Sequence, residues 1–250
     1  MKRIFLLLIF ATSQAMSSIF SHEDIQTLKR HFFANIHPNG AIVASPSQYN
    51  PNYYYDWVRD SANAMSLIES WYESTHLTKY KKPLLHYVSW TEMIQRQQDK
   101  LPGQDILGEP KFYIDGYPYE GPWGRPQNDG PALRASVLAR FAQQLLDNYE
   151  SEYVRTHLYN NSMDPLNMGV IKIDLEYTAH HWQDANFDLW EEVFGHHFFT
   201  AIAQKNALVD GAALARRLND EQAAVFYEKQ ANLIDHRLQQ HLDHNNTIIC

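Results

Sequence analysis

An all-α fold is predicted for this 250-residue chain on three observations. Glycine and proline together make up about 8% of the residues, below the roughly 12% of an average chain and too few for a turn-rich β-sandwich. Apolar residues recur at helical spacing along most of the sequence. No segment alternates at period two for long, and only Ala41 to Ala44 reads as a short strand.

The elements follow in order. Lys2 and Arg3 precede an apolar run from Ile4 to Ala11, and Thr12-Ser13-Gln14-Ala15 supplies a small-x-small exit. That pattern describes a secretory signal peptide over residues 1–15. The run is shorter than the roughly 20 residues needed to span a bilayer. The remaining domain, 16–250, is therefore expected outside the cytoplasm, extracellular or periplasmic, with no membrane association after cleavage. Ser21-His22-Glu23-Asp24 resembles a capping box, and Ile25, Leu28, Phe32, Phe33 and Ile36 continue a helix to Pro38-Asn39-Gly40. A second helix is predicted to follow Asp60, with Ala62, Met65, Ile68 and Trp71 or Tyr72 on one face. The third carries Leu84, Tyr87, Val88, Thr91 and Ile94. A fourth starts near Pro131, a good first-turn residue, and repeats through Leu133, Val137, Phe141 and Leu145. Further helical patterns cover about 164–181, 196–218 and 220–242.

Three aromatic loops separate these helices: Tyr49 to Asp60, Leu101 to Gly130, and Trp182 to Glu192. An even number of antiparallel helices between loops returns the chain to the same end, so all three are expected at one pole of a helical toroid. Asp56, Arg59, Asp60, Glu109, Asp115, Arg125, Asp129, Asp188, Glu191 and Glu192 would meet there, among Tyr53, Trp57, Trp123 and Trp190.

Composition narrows the chemistry. Apolar residues are 44% and charged ones 20%, ordinary globular usage that excludes disorder. A formal charge of −8 argues against nucleic acid or an anionic membrane as partner. Cys250 is the only cysteine, so no internal disulfide forms. The pairs His180-His181 and His196-His197 lack a third ligand at zinc spacing, and no P-loop or Rossmann glycine pattern occurs. No metal or cofactor is expected. Aromatic faces stack on the C–H faces of sugars, while carboxylates and guanidiniums fork onto neighbouring hydroxyls. Glycosidic cleavage needs a protonated acid at the leaving oxygen and a second carboxylate across the ring. The clustered acids and rings point to glycan binding or cleavage.

Three blocks carry a resemblance to the fungal-type glucoamylases. They are Tyr53-Tyr54-Tyr55-Asp56-Trp57-Val58-Arg59-Asp60-Ser61; Gly108-Glu109-Pro110-Lys111-Phe112 with Trp123-Gly124-Arg125-Pro126-Gln127-Asn128-Asp129-Gly130-Pro131-Ala132-Leu133-Arg134-Ala135; and Asp188-Leu189-Trp190-Glu191-Glu192-Val193, continued by Phe198-Phe199-Thr200. The resemblance runs from about residue 20 to residue 240. It implies an (α/α)6 toroid, incomplete in this chain, that inverts configuration as it releases glucose from non-reducing ends of starch-like α-1,4-glucans. Maltooligosaccharides and α-glucans are the implied partners, and the complete protein would be a monomer. By the same resemblance Arg59 and Asp60 would hold hydroxyls of the terminal glucose, and Tyr53 and Trp57 would line its pocket. Trp123 would pack near the scissile linkage, Arg125 and Asp188 would orient substrate and carboxylates, and Trp190 belongs to the same substrate-binding set. Glu191 would be the general acid and Glu192 a binding residue near the next sugar. Helix geometry agrees with that division, since adjacent helical side chains diverge by about 100°. No block resembling the family's catalytic base precedes the end of the sequence, so the base is expected beyond Cys250. A glucan-binding relic, or another toroid glycosidase such as a trehalase, are the alternatives.

Overall fold

A computed structural model describes residues 20–164 and 167–242. The expected signal peptide, residues 165 and 166, and Cys250 lie outside the described residues. The chain divides into two compact units, Met1–Ala34 and Asn35–Cys250. The first contains α1 (His22–Ala34). Its capping box is formed: the Asp24 N–H donates to Ser21 Oγ at 3.1 Å and the Ser21 N–H to Asp24 Oδ2 at 2.9 Å.

The larger unit is built from helices, as the spacing of apolar residues predicts. α2 (Val58–Thr75) and α3 (Thr78–Gln95) are joined by His76 and Leu77 alone, with His76 in the left-handed conformation that ends α2. α4 (Asp129–Asp147) follows the long second loop. One helical turn, α5 (Ser151–Tyr153), and a π-turn over Val154–Leu158 lead towards α6 (Val170–His181). α7 (Phe198–Arg217) and α8 (Glu221–Leu238) close the described chain. α4 packs against α2, α6 and α7, and α7 packs against α8.

Small residues let α4 sit in this centre. Ala132, Ala135, Ala139 and Ala142 are buried beside Leu138, Phe141 and Leu145. Buried ion pairs then fix the helices around it. Arg134 of α4 forks onto Asp174 of α6 at 2.7 and 2.6 Å. Lys172 of α6 meets Asp220, the N-cap of α8, at 2.6 Å, and the Tyr159 hydroxyl donates to the same oxygen at 2.9 Å. Satisfied in this way, the charges specify which helix faces which.

Several boundaries differ from the sequence expectation, the first being α1, which ends at Ala34 and not at Pro38, with Ile36 in a bridge to Ile42. α2 begins at Val58 and not after Asp60, because the Val58 N–H already bonds the Pro110 carbonyl at 2.9 Å as the chain leaves a short strand. Arg59 and Asp60 therefore sit in its first turn. α6 starts at Val170 and not near 164, since the Asn167 and Met168 N–H groups both close turns onto the Asp164 carbonyl. Ala41 to Ala44 makes isolated bridges, Ile36 with Ile42 and Val43 with Asp56, and no named strand. Gly40, at φ +97°, lies so close to the His86 carbonyl that a Cβ would collide with it.

Two small ladders position the loops. β1 (Asp56–Trp57) pairs antiparallel with β2 (Lys111–Phe112), setting Trp57 opposite Lys111. β3 (Asn186–Phe187) pairs with β4 (Phe194–Gly195), closing a hairpin whose loop is Asp188 to Val193.

Candidate active site

The three aromatic loops meet, as the helix-crossing argument requires. At their junction lies the Glu191 carboxylate. The indole Nε1 of Trp57, from the first loop, donates to Glu191 Oε1 at 2.9 Å. The Gln127 amide, from the second, donates to the same oxygen at 3.1 Å. Arg59 holds a guanidinium nitrogen 3.6 Å from it. Among the described residues no donor reaches Oε2.

This carboxylate is carried by a hairpin loop, not a helix. Glu191 has a φ of 66°, left-handed for a non-glycine residue. The helical reason for separating Glu191 from Glu192 is thereby replaced. The turn does the separating: Asp188 Oδ1 accepts the N–H groups of Glu192 at 2.8 Å and Val193 at 2.9 Å, and the Asp188 carbonyl accepts that of Glu191 at 3.0 Å. Burial opposes the charge on Asp188, but the N–H groups of Val193, Glu192 and Trp190 outweigh it and hold the carboxyl below its ordinary value. Gly124 accommodates the hairpin, since a Cβ there would lie 2.9 Å from the Phe187 ring and 3.1 Å from the Glu191 carbonyl. Trp190, beside the acid, is 74% exposed, and Val193 and Phe194 next to it are exposed as well.

The remaining side chains fall into two groups. Arg59 donates to Gln127 Oε1 at 2.8 Å and to Asp129 Oδ2 at 3.0 Å, with Asp60 next to it in the same helical turn. Gln127 is thus clamped between Arg59 and Glu191, and its amide also bonds the Gly124 carbonyl at 2.8 Å. Arg125 is engaged elsewhere. It forks onto buried Glu109 at 2.5 and 3.3 Å and bonds the carbonyls of Tyr119 at 2.9 Å and Gly121 at 3.2 Å. Burial raises the Glu109 carboxyl, with Arg125 opposing the shift.

Aromatic rings form a continuous wall beside Glu191. Trp57 meets Trp123 at 5.9 Å and Tyr55 at 5.8 Å between ring centroids, and half-exposed Tyr53 lies 6.2 Å from Trp57. Tyr55, Tyr119, Gln127 and Lys111 belong to this assembly although the sequence reading did not single them out as site residues. Their only signal is membership of the second aromatic loop or closeness to Trp57 in the chain. Among the described residues no group of three or more His, Cys, Asp or Glu is arranged to hold a metal ion, and no helix is long and apolar enough to cross a membrane.

Comparison with known proteins agrees with this architecture. The model for glycosyl hydrolases family 15 matches residues 25–250. A probable glucoamylase of Schizosaccharomyces pombe is 40% identical over 205 residues, covering 80% of this chain and 42% of its own. The solved glucoamylase of Saccharomycopsis fibuligera superposes with a TM-score of 0.75 at 33% identity, over 86% of this chain and 48% of its own. The family 15 glucoamylase of Hypocrea jecorina gives a TM-score of 0.77 at 32% identity, over 90% of this chain and 39% of its own. The chain thus spans between 28% and 42% of the length of the curated relatives it matches.

Proposed function

The chain belongs to the glycosyl hydrolases of family 15, and from that premise we propose that its site takes the non-reducing end of an α-1,4-glucan and protonates the glycosidic oxygen as glucose leaves. One observation carries the assignment: Glu191 is oriented by donors from two other loops that converge on one of its two carboxyl oxygens.

That asymmetry is what a proton donor needs. A general acid must hold its proton in one place and present it to the leaving oxygen. Oε1 accepts the N–H groups of Trp57 and Gln127, so the proton belongs on Oε2. Trp57, Trp123 and Tyr53 offer apolar faces to the sugar ring, and Arg59 and Asp60 offer hydroxyl partners. Glu192 and Trp190, exposed on the hairpin loop, are assigned to the next sugar. Arg125 and Asp188 orient the loops through the partners already described. Inversion also needs a carboxylate roughly 6.5–9.5 Å from the acid to activate water. Asp129 and Glu109 are tied to arginines and Asp188 to backbone N–H groups, so the base is assigned to none of them.

The test sets calorimetry with maltose or acarbose beside a glucose-release assay on starch, trehalose and isomaltose. In a longer version of the protein that carries the base, Glu191→Gln is expected to lower release from starch by about 10²- to 10⁴-fold, the usual contribution of a general acid, with affinity nearly intact. Full turnover by that variant would overturn the assignment. Binding without release by the unaltered protein would make it a glucan-binding protein, and preference for trehalose would change the substrate.

A further inference from the structure

Lys111 is buried, yet among the described residues no carboxylate comes within ion-pair distance of its ammonium. Four rings enclose it instead. The nitrogen lies 3.6 Å from the centroid of Trp123, 3.9 Å from Tyr119, 4.2 Å from Tyr55 and 4.6 Å from Trp57. These rings touch one another in a closed circuit, since Tyr55 also meets Tyr119 at 5.4 Å and Tyr119 meets Trp123 at 5.7 Å. They come from two separate stretches of chain, 55–57 and 119–123, and the ammonium lies over all four. A cation over a ring face is attracted by the ring quadrupole, most strongly where water is excluded.

One member of the circuit is Trp57, whose opposite edge holds Glu191. We propose that Lys111 is a positioning residue for Glu191: its positive charge gathers the four rings and so fixes the indole whose N–H orients the acid. The β1–β2 ladder sets the lysine across from that tryptophan, which gives the pair a fixed register. The charged groups facing the ammonium are Glu191, Glu109 and Arg125, with Tyr55 and Tyr119 the titratable rings. Burial draws the Lys111 pKa down to about 8, and the repulsion of Arg125 adds to that, while Glu191 and Glu109 act in the other direction. Loss of the proton therefore falls within an accessible range.

The functional part of this role rests on Glu191 being the proton donor, so the primary readout is independent of turnover. The Trp57 indole N–H resonance, identified by its loss in Trp57→Phe, is followed by NMR from about pH 6 to pH 9. In the unaltered protein its exchange with water should be slow at the acid end and accelerate with a midpoint near pH 8. Lys111→Arg should keep exchange slow across the range, and Lys111→Met should accelerate it at least tenfold at every pH. In glucose release, Lys111→Met should lower kcat about tenfold or more with KM within about threefold, and Lys111→Arg should restore kcat. A folded Lys111→Met protein with the original exchange rate would overturn the proposal. So would an unaltered protein whose Trp57 exchange shows no midpoint, a result available even where the methionine variant fails to fold. If the unaltered protein neither binds maltose nor releases glucose, the glucan assignment falls, and the Trp57 resonance still decides what Lys111 does.

Discussion

Asp56 is wholly buried one residue before Trp57, with Oδ2 accepting the Ile42 N–H at 2.7 Å and Oδ1 lacking a hydrogen-bond partner. Burial pushes its carboxyl up to about 7, against the Ile42 hydrogen bond and the charge of Arg134. The folded protein then keeps a proton that the unfolded chain gives up near pH 4, so this residue's stabilising contribution is lost as pH rises from about 4 to about 7. Asp56→Asn keeps an acceptor for Ile42 and removes the titration. Urea unfolding at both ends of that window should show the variant gaining a few kcal/mol on the original protein at pH 7 and little at pH 4. The identity of such residues was legible in part. Trp57, Asp188 and Glu191 stand in recognisable blocks, whereas the clamp on Gln127 joins residues 64 and 68 positions apart. No local pattern encodes a meeting at that distance, nor which oxygen of Glu191 is engaged.

Helices were the most legible elements, because burying one face imposes a 3.6-residue period on every exposed-to-core alternation. α3 tolerates Pro83 within that pattern, and α4 follows its predicted face from Val137 to Leu145. The hairpin that carries Glu191 lies in the segment expected as an aromatic loop, and its strands are not legible there, since two paired residues per strand leave too short an alternation to detect. The π-turn at Val154–Leu158 was missed for a related reason: its two buried residues, Val154 and Leu158, stand at ordinary helical spacing. The Arg134–Asp174 pair shows how an element is held. Arg134→Met leaves Asp174 buried without its counter-charge, and the cost should be about 3–5 kcal/mol in thermal or urea unfolding. Adding Asp174→Leu should recover most of that loss, because two apolar side chains of similar volume replace both charges at once.

At the scale of the whole molecule, the formal charge of −8 repels polyanions and has no net Coulombic grip on an uncharged ligand. Raising salt from about 50 to 500 mM should therefore leave the calorimetric affinity for maltose within about twofold. A tenfold weakening of maltose binding would overturn that expectation. The helical class was legible at this scale from glycine and proline scarcity together with the helical spacing of apolar residues, because long helices need few turn formers. The hairpin of the third loop has one more consequence. Among the described residues Trp190 is the only exposed indole of the six, and it is the neighbour in sequence of Glu191. Iodide in solution should extinguish its emission first, and a sugar settling over the loop would shield it, so the protein carries its own optical gauge of occupancy with no label attached.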